Sequence, residues 1–267
     1  MADTASSVQS HYAAEDLVAR ILGVLREEGY DTDSLSVETL NLTDQLHDGG
    51  LGATQAQADL AGVSEGLRVL DAGCGIGGAA RYLAHAHGCQ VQAIDLTREF
   101  VDAAIALTEL CGLSDRITFR QGSVTDLPFD DQSFDLVWSQ NVSMNVEDKA
   151  KLFAEAYRVL VPGGRFALSH ITAGPGGEPY YPLPWARRAD YSFLGSEKEI
   201  LDRLAGAGFR ILEIRDEIIA PGGGRPPKPL AGSVVMGADM RERAINSKRS
   251  TEERRIKDML VLAERPA

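Results

Sequence analysis

The sequence predicts an α/β fold built on a doubly wound, mostly parallel sheet, and three observations carry that prediction. Residues 69–78, Val-Leu-Asp-Ala-Gly-Cys-Gly-Ile-Gly-Gly, close a strand on an acid and turn through glycines into a helical run at 79–87. Such a turn brings backbone N–H groups at a helix N-terminus close to a ligand above it. Residues 89–95, Cys-Gln-Val-Gln-Ala-Ile-Asp, repeat the theme as a short strand ending in an acid, before a helix over 98–111. Helical and extended patterns keep alternating from about residue 53 to His170, as a parallel sheet with crossover helices requires.

Taken in order, residues 11–30 place Leu17, Val18, Ile21, Leu22 and Leu25 at helical spacing. Residues 31–52 are mixed and end in glycine, with Asp44-Gln-Leu-His-Asp-Gly-Gly50 just ahead of a helix at 53–61. Residues 1–52 are therefore expected to form an N-terminal helical cap on a main domain of 53–267. The first strand covers 68–71. Residues 172–185 hold too much Pro and Gly for a helix or a central strand, and the stretch 172–195 is expected to be a lid over the site. Ser196 with Glu199 three positions on reads as a capping box opening a helix over 196–206. Two final strands follow at 209–214 and 259–263, separated by a Pro/Gly loop at 221–229 and a helix over 237–257. Asp71, Asp95, Gln140 and His170 all fall at C-terminal strand ends, where ligands bind in such sheets.

A length of 267 residues suits one α/β domain with appended elements. The net charge of −12 argues against nucleic acid as a partner, because binding a polyanion relies on basic surface. The basic run 241–255 is interspersed with Glu242, Glu252 and Glu253 and reads as a solvated helix face. No apolar run approaches a membrane span and the first residues lack a signal-peptide pattern, so a cytoplasmic protein is expected. Cys74, Cys89 and Cys111 show neither metal nor redox spacing, and no metal is implied. The expected partner is a small molecule, with a homodimer admitted by the composition.

Gly73, Gly75 and Gly78 satisfy the dinucleotide pattern G-x-G-x-x-G, and Gly77 adds a fourth glycine, so the turn alone admits two cofactors. Asp71 separates them. A pyrophosphate beside the turn would be repelled by its carboxylate, whereas S-adenosylmethionine (SAM) carries an ammonium and a sulfonium that nearby negative charge favours. The structural alternative for Asp71 is a loop-bracing or N-cap aspartate. Asp95 lies where an acid accepts both ribose hydroxyls of a bound nucleoside, its alternative being a cap on the next helix.

The chain resembles the class I SAM-dependent methyltransferases, which have a Rossmann-like fold. The likeness continues through residues 119–138, Phe-Arg-Gln-Gly-Ser-Val-Thr-Asp-Leu-Pro-Phe-Asp-Asp-Gln-Ser-Phe-Asp-Leu-Val-Trp, and through 157–168, where it implies that Pro162-Gly163-Gly164 forms the turn before the fifth strand, and it covers roughly 40–215. It implies a seven-stranded sheet whose last strand is inserted antiparallel, with 53–267 as the methyltransferase domain. It also implies an adenine-clasping loop at Gly122, Ser123 and Val124, and cofactor contacts from Leu96, beside Asp95, and from Gln140. Many relatives carry Gly-Asp where this chain has Gly122-Ser123, so a charge-assisted bond to adenine is lost. Within the class, the D-Q-x-H-x-G-G, I-G-G-A-A-R-Y-L and M-N segments are similar to those of sarcosine/dimethylglycine N-methyltransferases and their sterol- and tocopherol-methylating relatives.

The leading expectation is methylation of a small amine or amino acid. Its cation would be held by aromatics among Tyr180, Tyr181 and Trp185 and its carboxylate by Arg187, with Met144 beside the acceptor. The alternative is C- or O-methylation of a hydrophobic, prenyl-like or natural-product acceptor, with His170 or His47 as the base and Asn141 as a hydrogen-bonding group. For each histidine the competing role is structural; for each aromatic it is packing. An NAD-linked oxidoreductase and a non-catalytic SAM-binding module are more distant readings. Asp71 and the pattern beyond the glycines oppose the first of these.

Overall fold

The computed structural model describes residues 4–12, 16–47, 49–216 and 232–267. Its helices are α1 (Thr4–Tyr12), α2 (Leu17–Glu27), α3 (Val37–Leu40), α4 (Gly50–Ala61), α5 (Gly78–His87), α6 (Arg98–Leu110), α7 (Lys149–Val159), α8 (Glu197–Gly206), α9 (Gly232–Met236) and α10 (Met240–Glu252). The strands are β1 (Arg68–Ala72), β2 (Gln90–Asp95), β3 (Ile117–Gln121), β4 (Phe134–Gln140), β5 (Leu160–Ala173), β6 (Arg210–Arg215) and β7 (Ile256–Glu264).

The sheet runs β3-β2-β1-β4-β5-β7-β6. β1 pairs parallel with β2 and β4, β2 with β3, and β4 with β5, while β7 lies antiparallel between β5 and β6. The expected inserted last strand is present. Chain order reverses between β1 and β4, and the strands on either side of that point deliver their C-terminal residues to one crevice.

Both faces of the sheet are covered, which explains the nearly continuous apolar runs of β1 and β4. Leu70, Val137 and Phe166 pack under Phe153 of α7 and Leu204 of α8. Val69, Leu136 and Trp138 pack with Ala58 of α4 and Leu83 of α5. The N-terminal helices do not stand apart from this body. Ile21, Leu25 and Leu40 share a cluster with Phe100 and Leu107 of α6 and with Val235 of α9. A fourth cluster joins Val8 of α1 to Ile171, Leu183, Trp185 and Tyr191.

Four elements differ from the sequence expectation. The helix foreseen at 11–30 is narrower, and α1 precedes it. The polar stretch Thr-Ala-Ser-Ser-Val-Gln-Ser-His-Tyr of α1 has too little apolar periodicity to announce a helix. Pro162–Gly164 is a bulge rather than a turn ahead of β5: Phe134 pairs with Leu160 and Leu136 with Arg165, and Gly163 takes φ 79°. The helix foreseen at 237–257 is the shorter α10, with β7 beginning at Ile256. The capping box of α8 forms as read, with Ser196 and Glu199 bonded reciprocally. The expected loop at 221–229 lies outside the described residues.

Candidate functional site

Asp71 is the penultimate residue of β1 and Asp95 the last of β2, and the glycine turn is bound to the second of these. Asp95 accepts the Gly75 N–H on Oδ2 and the Thr97 N–H on Oδ1, both at 2.9 Å. The turn is thereby pulled onto the tip of β2. At Gly75 (φ 53°) a Cβ would come near only Leu46 Cδ1, at 3.8 Å, so bare backbone faces open space there. At Gly73 a Cβ would lie 2.3 Å from Val142 Cγ2, and at Gly78 one would lie 2.5 Å from the Asp44 carbonyl oxygen. These two glycines let the loop after β4 and the segment before α4 close directly on the turn.

Asp71 is 1 % exposed, and its Oδ2 has no hydrogen-bond partner among the described residues. Burial, reinforced by the Asp95 charge, pushes its pKa up to about 7. Burial also raises Asp95 above the usual carboxylate range. A cation placed between them would relieve both.

The cavity above this turn measures about 620 Å3. Its glycine end is lined by Asp71, Gly73, Gly75, Asp95, Leu96, Gly122, Ser123, Val124 and Gln140. Apolar side chains wall much of the rest, Val8, Leu46, Met144, Ile171, Trp185, Met236 and Met240, with Leu46 beside Gly75. Asn141 and His47 also line it, as do the acids Glu147 and Asp148. Asn141 holds the left-handed φ of 54° that its short amide side chain tolerates, and its Oδ1 accepts from Ser169 Oγ at 2.9 Å.

The segment foreseen as a lid is sewn to the loop after β4. Asn145 Nδ2 donates to the Trp185 carbonyl at 2.9 Å and to that of Tyr191 at 3.3 Å, and the Phe193 N–H donates to the Met144 carbonyl at 2.7 Å. Lys149 Nζ donates to the Val146 carbonyl at 2.8 Å and also to that of Phe193. Burial lowers its pKa to about 8.

The segment before α4 closes the glycine side. Asp44 and Arg81 form a salt bridge at 2.9 Å with both side chains fully buried. Arg81 also donates to the Ile76 carbonyl at 2.7 Å and to Thr108 Oγ1 at 3.0 Å. Thr54, on α4, lies within hydrogen-bonding distance of Gln45, His47 and Gln140.

Five of the residues singled out in the sequence lie away from the cavity wall. His170 is fully buried beneath the 3-10 turn Ser143–Asn145, its Nδ1 paired with Ser143 Oγ, and burial depresses its pKa to about 3. The Tyr180 ring is sandwiched by Arg249 and Arg255 at 3.8 and 4.3 Å, and its hydroxyl donates to Glu253 at 2.8 Å. Tyr181 packs beside the cluster of Leu183 and Trp185. Arg187 is exposed and paired with Asp239 at 2.9 Å. Gly77 faces Arg81 and Phe119, each 2.9 Å from where its Cβ would stand. Sequence reasoning missed Thr54, Arg81, Val8, Met236 and Met240. For Arg81 a signal existed, because it and Asp44 sit in the two segments quoted for the resemblance.

A methyltransferase-domain family model matches residues 70–168, from β1 into β5. Outside this stretch the similarity is partial. A glycine/sarcosine/dimethylglycine N-methyltransferase of Actinopolyspora halophila is 33 % identical over 162 residues, which cover 61 % of this chain and 29 % of that protein. A probable tocopherol O-methyltransferase of rice is 41 % identical over 100 residues, 38 % of this chain and 28 % of its own length. This chain thus spans less than a third of the length of those two relatives. Among solved structures, geranyl diphosphate C-methyltransferase from Streptomyces coelicolor A3(2) superposes with a TM-score of 0.70 at 19 % identity, covering 98 % of each chain. At that identity it is the fold alone that is shared. Among the described residues, no helix is long and apolar enough to cross a membrane.

Proposed function

We propose that this protein is a SAM-dependent methyltransferase acting on a small, apolar acceptor. The observation that carries the reading is a pair of buried polar side chains flanking the glycine turn that each leave one atom without a partner among the described residues, Asp71 at Oδ2 and Gln140 at one atom of its carboxamide. In a folded protein such atoms call for a ligand's polar groups. SAM fits this end: its ammonium would meet Asp71, its ribose hydroxyls Asp95, and its adenine the Gly122–Val124 loop beside Leu96. Asp95 keeps lone pairs for hydroxyls after accepting from Gly75 and Thr97. When bound, SAM supplies a methyl group on a positive sulfur, which passes to the acceptor's electron pair while the C–S pair stays on sulfur.

The rest is done by the chain. Met144, Ile171, Trp185, Met236 and Met240 bury the acceptor and exclude water. His47, on the wall, takes the proton of an acceptor hydroxyl as the new bond forms. Burial keeps His170 from this role. The amino-acid acceptor is the weaker reading. Arg187 is paired with Asp239, Tyr180 is enclosed by arginines, and Asp71, Asp95, Glu147 and Asp148 on the wall would repel a carboxylate. An apolar amine fits the same walls. The lack of any disulfide among Cys74, Cys89 and Cys111 accords with a reducing cytoplasm.

Calorimetry with SAM and with NAD, followed by turnover with labelled SAM across phenols, prenyl alcohols, apolar amines and sarcosine, tests the proposal. SAM binding with product only from apolar acceptors is expected. NAD binding, or turnover confined to sarcosine, would overturn it.

A further inference from the structure

Thr54 is fully buried, and its Oγ1 lies 2.7 Å from Gln45 Oε1, 3.2 Å from His47 Nε2 and 3.2 Å from Gln140 Oε1. A hydroxyl has one hydrogen and two lone pairs, so only one of these neighbours can accept from it. Gln45 decides which. Its own Nε2 donates to Asp44 Oδ1 at 3.1 Å and to Asn41 Oδ1 at 3.2 Å, which fixes its oxygen toward Thr54. The Thr54 hydrogen therefore belongs to Gln45, the shortest of the three contacts, and the other two neighbours must donate.

For His47 this places the ring hydrogen on Nε2. For Gln140 it places the amide nitrogen on Thr54 Oγ1, reached by half a turn of the carboxamide, which leaves its shape unchanged. That turn also removes the buried amide nitrogen that otherwise has no partner. The atom left for the ligand is then a carbonyl oxygen. The hydrogens now run in one direction, from His47 and Gln140 to Thr54, from Thr54 to Gln45, and from Gln45 to Asp44, which also accepts from Arg81. Bonds aligned in this way polarise one another.

We propose that Thr54 is a positioning residue that acts through His47 and Gln140. It fixes the His47 ring with Nε2–H as the donor to Thr54 Oγ1. It also turns the Gln140 carbonyl oxygen to the side of the cavity, where with Asp71 Oδ2 it gives an ammonium two acceptors. The kinetic consequence rests on the methyl-transfer reading; the proton placement does not.

The test is the 15N spectrum of the imidazoles in the ligand-free protein, with His47 identified by its loss in His47→Gln. The Nε2–H tautomer is expected in the wild type and in Thr54→Ser. In Thr54→Val, which keeps the shape but not the hydroxyl, a shift away from that tautomer is expected. The SAM Kd should rise about tenfold in Thr54→Val, on the scale of one unsatisfied buried polar group, and return to near the wild-type value in Thr54→Ser. The acidic limb of the pH–rate profile, where a general base is lost to protonation, should move in Thr54→Val alone. An Nδ1–H tautomer in the wild type overturns the proposal, and so does an unchanged tautomer in Thr54→Val. Should Thr54→Val not fold, the wild-type and Thr54→Ser spectra still decide. Failure of the wild type to bind SAM, with the Nε2–H tautomer intact, would sink the methyltransferase reading and leave the proton placement standing.

Discussion

Asp44 and Arg81 meet at 2.9 Å with neither side chain exposed to solvent. One belongs to the segment before α4 and the other to the helix that follows the glycine turn, so this contact closes the cap over the cofactor end. A buried pair is costly to form, and here the cost is offset by the carbonyl and hydroxyl partners of Arg81 and by Gln45 on Asp44.

Removing one partner leaves the other buried and uncompensated. Asp44→Ala is expected to destabilise the fold by about 3–5 kcal/mol and to weaken SAM binding, read by urea denaturation and calorimetry. The double variant Asp44→Leu/Arg81→Met should recover much of the stability but not the affinity, because the segment would lose its anchor on α5.

Burial pushes the Asp71 carboxyl up to about 7 in the folded protein from its ordinary 3.8, so the folded protein holds a proton there that the unfolded chain gives up. Its contribution to stability is therefore full below pH 4 or so and is lost as pH rises toward and through 7. Ligand-free Asp71→Asn should lack this part of the pH dependence of Tm. SAM affinity of the wild type should increase over the same interval, because an ammonium favours the ionised carboxylate; a flat SAM Kd between pH 6 and 8 would contradict this.

His170 is neutral across the physiological range, held so by burial. His170→Asn is expected to lower stability through the lost Ser143 contact while leaving the shape of the kcat/KM–pH profile unchanged. His47→Ala is expected to remove the acidic limb, where protonation silences a general base, and to lower kcat by about 10²-fold or more with a hydroxyl acceptor. The reverse pattern would return the base to β5.

Trp185→Leu trims the apolar wall. With an apolar acceptor KM should rise about tenfold, in line with the area no longer buried, while the SAM Kd stays within about twofold. Tyr180→Phe removes a hydroxyl that donates to Glu253 away from the cavity wall and should leave both constants where they were.

The cofactor end was legible because its chemistry is local. Asp71 and the glycines share one stretch of chain, and Asp95 stands on the next strand, so strand–turn–helix periodicity is enough to bring them to one crevice. The acceptor end was not. Met236, Met240 and Val8 reach the cavity from both ends of the chain, and no spacing within the sequence announces that convergence. The aromatics after β5 read as a substrate cage because the stretch is crowded with them. Arg249 and Arg255, some seventy residues on, instead draw Tyr180 outward. His170 sits at the expected strand end, but Ser143 covers it from the turn above.

The clasp between Asn145, Met144 and the Trp185–Phe193 stretch also bears on energetics. Residues 140–148 touch the glycine end through Gln140 and the apolar end through Met144, so whatever stiffens this stretch is felt at both. Occupancy of either end then alters affinity at the other by one shared factor, as thermodynamic reciprocity demands. An acceptor that tightens SAM must itself be held more tightly once SAM is present.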